Sequence, residues 1–409
     1  MAGLKYWIWL STRKGLGPVG ALRLLEHFGT PERIFYADPA EYALVEGIPP
    51  AVGRQLKDKN MDGVNRILAD CDRLGLRLMA LRDADYPERL SNIPDPPLVL
   101  YVKGKLPDLD EEAAIGVVGT RKPTLYGMEM AEKLGYELTR GGALVVSGIA
   151  RGLDTAALRG ALRAGGPVVS VLGGGTDVYY PRENRFLYED VAAAGALVSE
   201  YPPGTENIGS HFPIRNRIIS GMSLGVVAVE CEERSGTMST INRAWDQDRD
   251  VFAVPGPVNA PMSRGTNWII QQTGKLVRCG EDILMEYRDR YPSKLGEHKI
   301  TRLPMSEWKT ELSAAEPEAE PKETTSQPPE PEHPKLETVR REEERSRFTD
   351  DELAVLRAMG RAVRGTDELV ELTQIPVRRV TTALTMLQVC GAVEEHEGRR
   401  FSSLVQLES

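Results

Sequence analysis

The residues in this sequence best suited to chemistry are arginines and lysines set beside glycine. In IGVVGTRKPTLYG, residues 115–127, an apolar run of Ile115, Val117 and Val118 stops at Gly119; Thr120, Arg121, Lys122 and a proline follow. A buried strand that ends in a small residue and a basic pair, with a helix after it, is built to meet a phosphate. That phosphate can belong to a nucleotide or to a nucleic-acid backbone. Five further turns share the glycine-rich character: SGIARGLD (147–154), GGGTDVYYP (173–181), SEYPPGT (199–205), RSGTMST (234–240) and PGPVN (255–259). One such turn is a weak signal, because turns favour glycine anyway. Several along one sheet edge, interleaved with Arg121, Arg151 and Arg182, would make a surface for an extended polyanion.

In HFPIRNRIISG, Arg215 and Arg217 flank Asn216 between Phe212-Pro213 and Ile218-Ile219. A single arginine is usually a solvated surface side chain. Arginines packed between apolar residues are held in place, and a held guanidinium suits bidentate recognition of phosphate. Phe212 is either core or a face on which a base stacks.

Missing motifs narrow the chemistry. No GxxxxGK[ST] occurs, which excludes a Walker-type NTPase. GVVGTR is not GxGxxG, and no ribose-binding acid follows a second strand, which argues against a dinucleotide cofactor. There is no GxSxG elbow and no Ser–His–Asp set. His211 is the sole histidine of this region, so no metal cluster is expected. Asp154 and Glu200 could be an acid/base pair, or could hydrogen-bond backbone amides and arrange the loops. With no nucleophile or metal beside them, the second role is expected, and with it a protein that is not an enzyme and needs no cofactor.

These turns need a frame. Between residues 113 and 285, apolar runs near 115–118, 143–147, 168–172, 197–199, 225–230 and 251–254 alternate with helical patterns at 126–140, 153–164 and 184–194. β-Branched runs alternating with helices predict a parallel sheet covered on both faces, with ligands at the carboxyl ends of the strands. Upstream, residues 1–75 read as short helices, with Gly17-Pro18 and Pro49-Pro50 opening two of them. They resemble a helix-hairpin-helix (SAM-like) domain, which serves either as packing or as a phosphate contact. Residues 291–347 form a Pro/Glu-rich linker expected to be disordered; within it, 311–332 holds seven acids and one lysine. Residues 348–409 look like a winged helix with Arg378 and Arg379 opening the recognition helix; DNA and protein are both open as its partner.

The net charge is −9 over 409 residues, but 311–332 alone contributes −6 of it (seven acids less one lysine), so charge alone neither supports nor excludes DNA. Cys71, Cys231, Cys279 and Cys390 lie far apart and form no CxxC pair, which fits a reducing cytosol. No segment approaches the ~20 apolar residues of a membrane span, so a soluble cytoplasmic protein without membrane insertion is expected.

In order, GTRKPTLYG, VVSGIARGLD, VLGGGTDVYYPRENRFL, SEYPPGT, FPIRNRIISGMS, RSGTMST, VFAVPGPV and GTNWIIQQTG resemble the motifs of the DprA/Smf family of DNA-processing proteins. The resemblance spans about residues 80–285. It implies a Rossmann-like domain, taken as 80–290, that binds single-stranded DNA, and a homodimer that loads the RecA recombinase onto incoming DNA during natural transformation. The DNA contacts it suggests are Gly119, Thr120, Arg121, Lys122, Ser147, Gly148, Arg151, Phe212, Arg215, Asn216, Arg217, Ser235 and Gly236. The dimer contacts it suggests, around GTNWIIQQTGKLV, are Trp268, Ile270 and Leu276. Ala157-Leu158 departs from the family's usual Ala-His pair. Two other functions compete. One is a nucleotide-binding hydrolase of the lysine-decarboxylase-like Rossmann group, although ERSGTMST lacks that group's Pro-Gly-Gly. The other is a regulator that binds duplex DNA through the winged helix.

Overall fold

The β-branched runs fold into one nine-stranded sheet. The structure, a computed structural model, describes residues 3–295, 337–339, 348–360, 363–390, 392–396 and 400–407. Most of the Pro/Glu-rich linker, including 311–332, lies outside the described residues. The chain divides into two units, Met1–Pro317 and Glu318–Ser409.

The first unit opens with helices α1 (Leu4–Ser11), α2 (Pro18–Phe28), α3 (Pro31–Tyr36), α4 (Pro50–Leu56) and α5 (Asp62–Leu74). Strand β1 (Arg77–Ala80), helix α6 (Glu88–Ser91) and strand β2 (Val99–Gly104) follow. Strands and helices then alternate: β3 (Ala114–Val118), α7 (Leu125–Arg140), β4 (Leu144–Ser147), α8 (Leu153–Arg163), β5 (Val168–Val171), α9 (Arg185–Ala194), β6 (Ala196–Ser199), α10 (His211–Met222), β7 (Gly225–Ala228), α11 (Gly236–Asp246), β8 (Asp250–Ala253) and α12 (Pro261–Gln272). Strand β9 (Lys275–Leu276) and helix α13 (Glu281–Leu284) close the unit.

The strand order is β1-β2-β6-β5-β4-β3-β7-β8-β9. The run from β6 to β9 is parallel, and β2 and β1 add an antiparallel edge. After β3 the chain crosses through α7 to β4 on one side. After β7 it crosses through α11 to β8 on the other. The loops that leave β3 and β7 therefore diverge, and this is the topological switch point at which open parallel sheets bind ligands.

Each face of the sheet carries its own core. Leu134, Leu138, Leu158 and Val191 of α7, α8 and α9 cover one face. Ile218, Met222, Met238 and Ile241 of α10 and α11 cover the other. The front-end helices pack Trp9, Leu24 and Ile34 against Val99 and Tyr101 of β2, so they share a core with the sheet edge.

In the second unit, helices Asp350–Met359, Thr366–Thr373 and Val377–Val389 pack against a three-stranded sheet containing the hairpin Val393–His396 and Arg400–Ser403. Thr349 and Glu352 close a reciprocal capping box at the first helix. Arg379 does not stand free on the recognition helix. Its Nε and Nη2 donate to Asp351 at 2.8 and 2.6 Å, whereas Arg378 has no carboxylate partner among the described residues.

Helices α7 and α8 approach closely because glycine stands on both. A Cβ at Gly135 would lie 2.0 Å from the Ala157 carbonyl oxygen, and one at Gly160 would lie 2.0 Å from that of Glu132. Neither backbone can yield without moving its helix. Gly160→Ala is therefore expected to cost roughly 1–3 kcal/mol. The denaturant midpoint should fall at unchanged slope; an unchanged midpoint would refute the contact.

Candidate nucleic-acid interface

A cleft of about 620 Å³ opens where the β3 and β7 loops part. The β3 turn contributes Gly119, Thr120, Arg121 and Lys122, and α8 contributes Asp154. Helix α10 contributes Phe212, Arg215 and Asn216; the start of α11 contributes Ser235, Gly236 and Thr237. Tyr180, from the turn after β5, stands at the rim.

Arg121 and Lys122 are exposed, and among the described residues no carboxylate pairs with either. The Arg121 guanidinium lies 4.6 Å from the centre of the Phe212 ring. That ring is half-buried, packs toward Tyr180 at 5.5 Å and lies over Gly173, where a Cβ would come within 3.2 Å of it. Phe212 thus supports Arg121 while its own position is fixed by the turn after β5. A guanidinium stacked in this way keeps its N–H edge free for phosphate.

Helix α11 offers a second group of donors. Its N-cap, Ser235, makes no side-chain cap; the Ser235 hydroxyl donates instead to the Glu232 carbonyl at 2.9 Å. Gly236 is exposed, and a Cβ there would meet nothing within 4 Å. Asn216 donates its side-chain N–H to the Gly236 carbonyl at 3.3 Å and so joins α10 to this helix start. The first N–H groups of an eleven-residue helix therefore face the cleft.

Four expected contacts are placed differently. Ser147 is fully buried and donates to the Val117 carbonyl at 2.7 Å. Gly148 is buried beneath Arg215 and Asp154: a Cβ would lie 2.3 Å from Arg215 Nη1 and 2.6 Å from Asp154 Oδ2. Arg215 is only 3% exposed and donates Nη1 to the carbonyls of Gly148 (2.9 Å) and Val171, clasping the ends of β4 and β5. Arg217 is 1% exposed and is held by Glu200 at 2.6 Å and Asp95 at 3.3 Å. Ser147, Gly148 and Arg217 are thus corrected from DNA contacts to parts of the frame, and Arg215 forms the cleft's buried floor. The spacing explains the error for the arginines. Residues two apart on a helix point to different sides, so Arg215 and Arg217 cannot both face one cleft. Gly119 also has a structural reason: a Cβ there would strike Leu153 Cδ1 at 2.3 Å. Arg151 is exposed and paired with the exposed Glu183, a contact of the weak surface kind.

Asp154 and Glu200 serve the loops separately. Glu200 belongs to Arg217; burial raises its pKa, and the Arg217 charge draws it back. Burial pushes the Asp154 carboxyl up to about 6, against the pull of Arg215, the Ala150 amide, Arg121 and the Gly119 amide. A feature not anticipated from the sequence lies at the start of α7. The Glu230 carboxylate accepts the Thr124 backbone N–H at 2.9 Å, so the N-terminus expected to meet phosphate is already occupied by an acid of the chain itself.

Residues 77–288 match the family model described as DNA recombination-mediator protein A, and residues 320–399 match the DprA winged helix domain. The chain belongs to the DprA/Smf family. Protein Smf of Synechocystis is 30% identical to it, over 97% of this chain and 98% of that one. The DNA processing protein DprA of Bacillus subtilis is 41% identical, over 55% of this chain and 76% of its own length. The X-ray structure of DprA from Streptococcus pneumoniae superposes with a TM-score of 0.62 at 34% identity, covering 69% of this chain and 97% of that one. The DprA/Smf assignment and the Rossmann-like core with a winged-helix tail accord with these matches. Among the described residues no helix is long and apolar enough to cross a membrane.

The Asp154 environment gives a pH signature. Its folded pKa is raised, so the neutral form favours folding. That contribution is complete below the unfolded value of about 4 and is lost as pH rises through about 6. Asp154→Asn should therefore flatten the melting-temperature profile between about pH 4 and 6. Identical profiles for variant and wild type would contradict the assignment.

Proposed function

We propose that this chain binds single-stranded DNA along the carboxyl edge of its sheet, shields incoming strands in the cytoplasm and delivers them to a RecA-class recombinase. The observation that carries this reading is the cation pair Arg121 and Lys122. Among the described residues neither has a carboxylate partner; Arg121 lies over an aromatic ring, and both stand in a switch-point cleft beside open helix N–H groups. Phosphates suit the guanidinium, ammonium and backbone donors, and an unpaired base suits the exposed Tyr180 ring. A duplex would hide the bases that such a ring could use. The protein acts by binding and not by catalysis, since Asp154 and Glu200 are committed to the loops. Turnover of ATP that disappears in Glu200→Gln would favour the hydrolase reading instead.

The protein works as a homodimer through the β9 edge. Trp268 and Leu276 are 37% and 47% exposed there, while Ile269 is buried and Ile270 is half-buried against the core. The short β9 leaves an unpaired sheet edge, and an apolar rim beside such an edge suits a twofold contact.

Binding of a labelled oligonucleotide at several salt concentrations tests the cleft. Arg121→Ala should weaken binding about tenfold and reduce the slope of log K against log salt by about 0.7. A folded variant with wild-type affinity would remove the basis of the proposal. Light scattering tests the dimer: Leu276→Glu should convert a micromolar wild-type dimer into a monomer that binds DNA more weakly through lost avidity. A monomeric wild type, or a dimeric variant, would count against it.

A further inference from the structure

Glu230 stands two residues beyond β7 and is 2% exposed. Its carboxylate accepts the backbone N–H of Thr124 at 2.9 Å and the Thr124 hydroxyl, while its main-chain carbonyl accepts the Thr120 N–H at 2.9 Å. Thr124 is the N-cap of α7, and its Oγ accepts the Gly127 N–H at 3.2 Å. The space was left for the acid: a Cβ at Gly127 would lie 2.1 Å from Glu230 Oε2. No lysine or arginine pairs with Glu230 among the described residues. What balances its charge is the positive end of a sixteen-residue helix.

We propose that Glu230 is a positioning residue that acts as a built-in anion. It fills the helix N-terminus at which a nucleotide phosphate would sit on a sheet of this kind. By gripping Thr120 and Thr124 together, it fixes the turn that presents Arg121 and Lys122. One residue thus keeps mononucleotides off α7 and shapes the grip for a polymer. The inference rests on the reading of the cleft as a site for single-stranded DNA.

Chemical rescue in the full-length protein tests it, with Glu230→Ala and Glu230→Gln. Glu230→Ala should bind an oligothymidylate roughly tenfold more weakly, the scale of a lost charged hydrogen bond. Sodium formate at tens of millimolar should refill the vacated site, restore most of the affinity and raise the melting temperature. Sodium chloride at equal ionic strength should do neither. Glu230→Gln should bind weakly and resist rescue, because its amide occupies the space without the charge. Wild-type affinity in Glu230→Gln, or equal responses to formate and chloride in Glu230→Ala, would overturn the proposal. If Glu230→Ala does not fold, the affinity of Glu230→Gln decides alone. An Arg121→Ala variant that binds like wild type would sink the reading of the cleft instead, and the formate-specific rise in melting temperature would still judge Glu230.

Discussion

Two adjacent parallel strands whose chains depart to opposite sides must part at their carboxyl ends. That geometric necessity between β3 and β7 underlies the rest of this molecule. It opens the cleft, sets the β3 turn against the starts of α10 and α11, and brings together residues about a hundred positions apart in sequence. The opening also exposes loop backbone to water, and the chain answers with buried side chains that act as ties. Arg215 clasps β4 and β5, Glu230 ties the β3 turn to β7, and Asn216 ties α10 to α11. The cations that remain outside these ties are the ones available to a ligand.

This division of labour reconciles the charge with the site. A net charge of −9 does not suggest a partner of nucleic acid. Overall charge bears on solubility and long-range steering, whereas a site depends on which charges are left unpaired where a ligand can reach. Arg217 and Arg379 are spent on Glu200 and Asp351, while Arg121 and Lys122 are not.

The six central parallel strands were legible in the sequence because each is a short, β-branched, doubly buried run flanked by turn residues. Strand β1, Arg-Leu-Met-Ala, has no β-branched residue, and β9 is two exposed residues long; neither leaves a pattern to read. The basic turn at 119–122 was legible as well, since a strand that runs into cations signals an anion. Burial was not. The Arg-Asn-Arg triplet looks like a basic patch until its helix rotates the two guanidinium groups apart. Glu230 was harder still: it meets Thr124 across a sequence separation of 106, and a single acid after an apolar strand carries no local mark.

The stack of Arg121 on Phe212 has a kinetic and entropic side. A free arginine carries about 2 kcal/mol of rotamer freedom, most of which is surrendered when it clamps a ligand. Here the ring has already narrowed that freedom before any ligand arrives, and the ring itself is seated on Gly173. The geometry of that guanidinium is therefore set by the fold. For the strand proposed above, capture would demand little rearrangement, and one phosphate could be exchanged for the next without the protein having to find its shape again.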